Sequence, residues 1–497
     1  TDQNWAGKDL RGSVIYELHV GTFTPEGTLD AAITRLGHLA DLGVDIVELM
    51  PLAAFPGKAG WGYDGVGLWA VHEAYGGPDA LARFVDAAHN AGIGVCLDVV
   101  YNHLGPSGNY LGVFGPYFTR AHHTPWGEAV NYDHDGSKQV RAFVIDSALR
   151  WLRDFHIDAL RLDAIHEIKD DAAAADPPQM HILAELSDAV AALSAEIGRP
   201  LSLVAEADLN DVGVITPTDE QPPAKIPSLG MTAQWADDVH HALHARLTGE
   251  TQGYYGDFAE AGAWAKAYGR AFLHNGTWST FRERNWGAPV PENTDPRKFV
   301  VFGSDHDQVG NRAVGDRPST SLNDATLAAT AALVLLSPYT PMLFMGEEWG
   351  TRTPFQFFTD HEEEDLARSV SEGRVREFAG FGWDADEIPD PQEHGTVEAS
   401  RLRWEELDEA EHARMLVWYQ GLIALRRKLA WSQRTAWPQV DETDDVLTVT
   451  YEDIVVATNL SDQDRPAPAA TTVLLSWNPV DAVPPILCPG QTLIARR

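Results

Sequence analysis

Eight short apolar runs alternate with segments of helical period, and no other feature constrains this chain so strongly. The runs fall at 14–20, 46–50, 93–101, 157–162, 201–205, 231–235, 298–302 and 341–345. Helical spacing recurs between them at 29–42, 79–91, 137–155, 180–197 and 323–336. In the first of these, Leu29, Ile33, Leu36, Leu39 and Leu42 share a face, and Gly43 follows as a C-cap. Strands buried on both faces read as continuous apolar runs, and eight of them alternating with helices predict an α/β fold, a (β/α)8 TIM barrel. The barrel is expected to occupy 1–400, with a short loop subdomain after the third strand (104–136).

Two stretches fall outside that alternation. Residues 351–400 read as a polar, aromatic, irregular loop after the eighth strand, and a loop of that length is more often functional than idle. A helical connection at 401–437, with its helix at 409–429, then leads to short β segments such as 446–451 and 454–458. These predict a C-terminal antiparallel β-sandwich over 438–497.

A net charge of −36 argues against nucleic acid or an anionic membrane as partner. Sixteen tryptophans supply apolar faces on which sugar rings can lie, although core packing accounts for most of them. Cys96 and Cys488 are far apart and suggest neither a disulfide framework nor a zinc site. No leader and no membrane-spanning run is evident, so a cytoplasmic monomer or homodimer is expected.

In a barrel of this kind the chemistry sits at the C-terminal ends of the strands. The third run ends Asp98-Val-Val-Tyr-Asn-His103, and the fourth carries Arg161 and Asp163, two residues apart and so on one side. The fifth ends at Glu206, and the seventh leads to His306 and Asp307. An arginine beside Asp163 would keep that carboxylate ionised, as a covalent nucleophile requires. The same pair alone could equally be a structural ion pair. Glu206 follows the apolar Leu203-Val-Ala205, which favours the protonated form that a general acid needs. A charged solvent-facing rim would explain one or two such acids, but not carboxylates at four strand ends. Paired carboxylates flanking a scissile bond are the machinery of glycoside hydrolysis.

These four segments resemble the signature regions of the α-amylase superfamily of glycoside hydrolases. The resemblance implies a retaining mechanism with Asp163 as nucleophile, Glu206 as acid/base and Asp307 as transition-state stabiliser. It also implies that Tyr63 (in Trp-Gly-Tyr-Asp-Gly), Asp98, His103, Arg161 and His306 serve the sugar in the −1 subsite. Further stretches, including Glu17-Leu-His-Val-Gly-Thr-Phe-Thr-Pro-Glu-Gly27, Asp237-Asp-Val-His-His241, Ser304–Arg312 and Met345-Gly-Glu-Glu-Trp349, resemble the maltooligosyltrehalose trehalohydrolase family. That family hydrolyses the α-1,4 bond next to a terminal α,α-trehalose, releasing trehalose and a maltooligosaccharide. The substrate implied is maltooligosyltrehalose or a related α-glucan oligosaccharide. A glucan branching enzyme or an α-amylase would carry the same trio.

By position, Trp235, Asp237, Asp238, His240, Glu347 and the 355–383 loop are candidates for recognising the trehalose, and ordinary loop packing and capping is the competing reading for each. Relatives usually carry a β-sandwich of about 100 residues ahead of the barrel, which the chain is expected to lack. Asn102 matches a calcium-ligand position of many α-amylases, but 104–119 is too poor in acids to complete an oxygen cage. No metal and no cofactor are expected.

Overall fold

A computed structural model describes residues 5–171, 178–222, 224–379, 384 and 387–497. Eight parallel strands close the barrel: β1 (Ile15–Leu18), β2 (Ile46–Leu49), β3 (Gly94–Val99), β4 (Ala159–Leu162), β5 (Ser202–Ala205), β6 (Ala233–Trp235), β7 (Phe299–Phe302) and β8 (Thr340–Phe344). Each neighbours its predecessor in sequence, and β8 returns to β1. All eight expected strands are present in the expected order.

The two-residue period of a strand divides each run between two environments. Ile15, Ile46, Cys96, Ala159, Val204, Ala233, Val300 and Met342 form one buried cluster and plug the barrel interior. Their neighbours in sequence, such as Tyr16, Val47, Val95 and Leu160, join the larger core beneath the surrounding helices. On β1 to β5 the inward series turns polar two residues beyond the plug, at Glu17, Glu48, Asp98, Arg161 and Glu206, whereas on β6 to β8 it stays aromatic at Trp235, Phe302 and Phe344. Register aligns Glu17 with Glu48 and Asp98 with Arg161 on adjacent strands. The apolar plug thus sits directly beneath a charged layer at the barrel's C-terminal mouth.

Two elements differ from expectation. The helix expected at 29–42 is two helices, Leu29–Ile33 and Leu36–Leu42. Thr34 and Arg35 donate backbone bonds three residues back, and the Thr34 hydroxyl caps the Ala31 carbonyl at 2.7 Å, which tightens the turn and ends the first helix. Gly43 still terminates the second, at φ +98°, a left-handed conformation open to glycine. The stretch 351–400, expected to be irregular, contains helices Glu364–Ala379 and His394–Ala399. Glu364 and Asp365 suit the positive end of the longer one. Its Leu366, Val370, Arg374 and Phe378 recur every four residues along one face. That periodicity was hidden by a polar, acidic context. Part of the 355–383 loop, 380–383, lies outside the described residues.

The chain ends in a five-stranded antiparallel sheet comprising Gln439–Thr443, Val446–Tyr451, Ile454–Asn459, Thr472–Ser476 and Thr492–Arg496. One face (Leu447, Val449, Ile454, Val456, Ile494) joins the main core. The other (Val455, Ala457, Leu493, Ala495) packs with Leu487 of the pair Arg465–Pro466 and Ile486–Leu487. The long helix Ala410–Lys428 ties sheet to barrel. Its buried Arg426 donates to the carbonyls of Leu335, Ser337, Tyr339 and Gly12.

Candidate active site

Arg161 is fully buried at the end of β4, and its guanidinium touches three carboxylates. Nη1 donates to Asp98 Oδ2 at 2.7 Å and to Asp163 Oδ1 at 3.0 Å, and Nη2 donates to Glu206 Oε2 at 3.1 Å. From below, the guanidinium carbon lies 4.4 Å from the centre of the Trp235 ring, a cation–π contact in a dry setting. The fork therefore sets the positions of Asp163 and Glu206 relative to each other.

Asp163 is held from a second side. The Asn102 amide donates to both its backbone carbonyl and its Oδ2, each at 2.7 Å. The Asn102 oxygen is then the acceptor for Nδ1–H of His103. Burial lowers the His103 pKa, so the ring is neutral near pH 7. Trp126 stacks on that ring at 4.1 Å between centroids while remaining half exposed.

On the opposite wall, Tyr63 donates to Asp98 Oδ2 at 2.6 Å and meets His306 Nε2 at 2.8 Å. His306 Nδ1 and its backbone amide both face the Glu17 carboxylate, at 2.5 and 2.9 Å. Burial opposes charge on His306, but Asp307 and Glu17 outweigh it and hold its pKa well above the ordinary value. Asp307 lies 3.5 Å from His306 Nε2 and accepts from Asn311 at 3.0 Å, with its carboxylate over a third exposed to the mouth.

Glu206 also accepts from the Ala164 amide at 2.6 Å, where the backbone at Ala164 turns left-handed (φ +38°). Burial raises its pKa to about 8, against the pull of Arg161 and with support from Asp163, Asp307 and Asp237. This is the direction expected from the apolar run preceding it. Asp98 is pushed up to about 6 by burial, again against Arg161, and remains ionised at neutral pH. Glu206 therefore holds a proton at pH 7 on the same fork that binds Asp163.

Of the remaining candidates, Trp235 lies under Arg161. Asp237, raised to about 7 by burial and by Asp208, Asp238 and Asp307, sits close enough to lift Glu206. Three others face elsewhere. Asp238 accepts from the amides of Leu273 and His274 and from Asn210, pinning those loops. His240 is buried against Phe302 and stacked on His244. Glu347 accepts from Tyr419 and from the Phe344 amide in a side cavity between β8 and the outer helices. The reading of residues passed over Glu17, Asn102 as a support for Asp163, and Trp126. Only the adjacency of Asn102 to His103 offered a signal.

A cavity of about 410 Å³ opens beside His103, walled by Trp126, Phe357, His361 and by Leu366 and Val370 of helix Glu364–Ala379. A larger groove of about 1160 Å³, lined by Asp133, His134 and Arg141, touches none of the acidic trio. Among the described residues, three-ligand clusters occur at His122/Asp133/His134 and at Glu409/Glu411/His412, neither including Asp163, Glu206 or Asp307.

A closed (β/α)8 barrel with paired carboxylates on an arginine fork defines a glycoside hydrolase of the α-amylase class, and the family model for the α-amylase catalytic domain matches residues 3–112. The chain is 55% identical over 428 residues to a malto-oligosyltrehalose trehalohydrolase of Arthrobacter ramosus, covering 86% of this chain and 72% of that one. It is 48% identical over 483 residues to the protein of the same name from Mycobacterium tuberculosis H37Rv, covering 96% and 81%. It belongs to the malto-oligosyltrehalose trehalohydrolase family. Among solved structures, a putative α-amylase from Salmonella typhimurium superposes with a TM-score of 0.89 at 38% identity, covering all of this chain and 83% of that one.

Proposed function

We propose that the protein hydrolyses the α-1,4 bond adjacent to the terminal α,α-trehalose of maltooligosyltrehalose, with retention of configuration. The observation that carries this is the Arg161 fork, which binds Asp163 through one nitrogen and Glu206 through the other. A carboxylate pair bridged this closely suits direct attack at the anomeric carbon rather than attack by an interposed water.

In the first step an Asp163 oxygen attacks C1 of the glucosyl unit in the −1 subsite. Glu206 gives its proton to the departing glycosidic oxygen, and trehalose leaves. Positive charge developing on the ring is offset by Asp163 and by the open carboxylate of Asp307. His103, His306 and Tyr63 line the pocket and orient the sugar hydroxyls. In the second step Glu206, now ionised, takes a proton from a water that attacks C1. The ester to Asp163 breaks and the maltooligosaccharide is released as its α-anomer. On the leaving-group side, Trp235 and Asp237 are the groups we assign to the trehalose. Among the described residues no helix is long and apolar enough to cross a membrane.

Proton NMR of the first turnovers on maltotriosyltrehalose tests the stereochemistry. The α-anomer of the released sugar is expected before mutarotation, whereas a β-anomer burst would contradict the direct role of Asp163.

A further inference from the structure

His306 occupies an unusual hydrogen-bonding position. Tyr63 directs its own proton to Asp98, so its oxygen meets His306 Nε2 only as an acceptor. On the other side of the ring, Nδ1 lies 2.5 Å from one Glu17 oxygen, and the second oxygen takes the backbone amide of the same histidine at 2.9 Å. Each ring nitrogen therefore faces an acceptor. Glu17 itself is 1% exposed, lies on β1 across the barrel from Arg161, and touches none of the reacting trio.

We propose that Glu17 is a positioning residue for the hydrolysis: by gripping both the amide and Nδ1–H of His306, it fixes that ring as a two-ended donor whose Nε2–H holds the Tyr63 hydroxyl on the wall of the −1 pocket. The proposal rests on the assignment of this pocket as the −1 subsite. The grip is bidentate, so it sets ring orientation as well as charge. It also keeps a cation 3.5 Å from the Asp307 carboxylate.

The other groups around His306 come from several elements. Asp98 on β3 attracts it, and Arg161 on β4 opposes its charge. Asp305, at the start of its own helix, is pushed far toward its neutral form by burial. His19, beyond β1, is held neutral by burial with a pKa of about 4. Glu48, on β2 beside Glu17, is raised to about 8 by burial and by Glu17 and Asp98. Of the carboxylates in this set, Glu17 alone hydrogen-bonds the ring. Trp61 closes the remaining edge, 5.7 Å away and perpendicular.

The test reads protons directly. In ¹⁵N NMR of the wild-type protein, with the His306 signals assigned by their loss in His306→Gln, both ring nitrogens are expected to stay protonated from pH 6 to 9. In Glu17→Gln the ring should titrate inside that range, because a carboxylate within hydrogen-bond reach raises a histidine by about one to three pH units. The same variant should lose about ten- to a hundredfold in kcat/KM, and its basic limb should move to lower pH. Glu17→Asp, which restores the charge, should restore the limb. A wild-type His306 that is neutral at pH 7, or a Glu17→Gln variant with an unchanged pH profile, would overturn the proposal. The NMR arm uses the unliganded wild type, so it stands even if Glu17→Gln does not fold. A failure to cleave maltotriosyltrehalose would count against the functional reading and not against this one.

Discussion

At Arg161 the period of a strand becomes chemistry. Asp98, Arg161 and Glu206 all point inward because each stands two residues beyond an apolar plug residue, and Asp163 continues the inward series of β4. This is why the acidic trio and its arginine were legible in the sequence. Asn102 and Glu17 were not, because their roles depend on hydrogen bonds to residues 61 and 289 positions away. Asp238, His240 and Glu347 illustrate the converse: position after a strand does not say whether a polar side chain faces the mouth or caps a loop. The residue-scale prediction concerns Glu206. In the proposed mechanism it must be protonated to release trehalose, and its pKa of about 8 means that the acid form is present below that pH and lost above it. kcat/KM should therefore fall through a basic limb near pH 8. Glu206→Gln should lose about 10²- to 10⁴-fold and should abolish that limb. A limb that persists in the variant would assign it to another group.

Among the elements, the helix Glu364–Ala379 and the segment before it wall the cavity beside His103. Arg374 donates to the carbonyls of Gly310 and Arg312, tying the helix to the short helix His306–Gly310 that carries Asp307. Trp61 stacks on Phe355 at 5.2 Å and donates to the Gln356 carbonyl, which joins the segment 355–358 to the Tyr63 loop. Gly310 makes this contact possible, since a Cβ there would stand 2.2 Å from the Trp61 ring. Gly310→Ala should force Trp61 and Phe355 apart, cost about 1–3 kcal/mol, and raise KM more than it lowers kcat, read by thermal unfolding and steady-state kinetics. An unchanged KM would show that the segment 355–358 does not shape the subsites. Apolar periodicity located the barrel helices, whereas it missed this one because alternating charge masked a four-residue spacing. It also ran two helices together at 29–42, where the side-chain bond of Thr34 and the tightened backbone bonds of Thr34 and Arg35 mark the break.

On the scale of the whole molecule, the barrel was legible because eight apolar runs in alternation with helices admit few other architectures. The packing of the C-terminal sheet was not, because it depends on contacts with helices Asp324–Leu335 and Ala410–Lys428 that local sequence does not announce. The same acidic trio would serve several α-glucans, so under the proposed function discrimination falls to the leaving-group side of the mouth. Chromatography of products from maltotriosyltrehalose and from maltopentaose, which has the same number of glucose units, tests that claim most directly. Free trehalose and maltotriose from the first, with the second left nearly intact, is the predicted result. Equal cleavage of both, or the appearance of α-1,6 linkages, would contradict it.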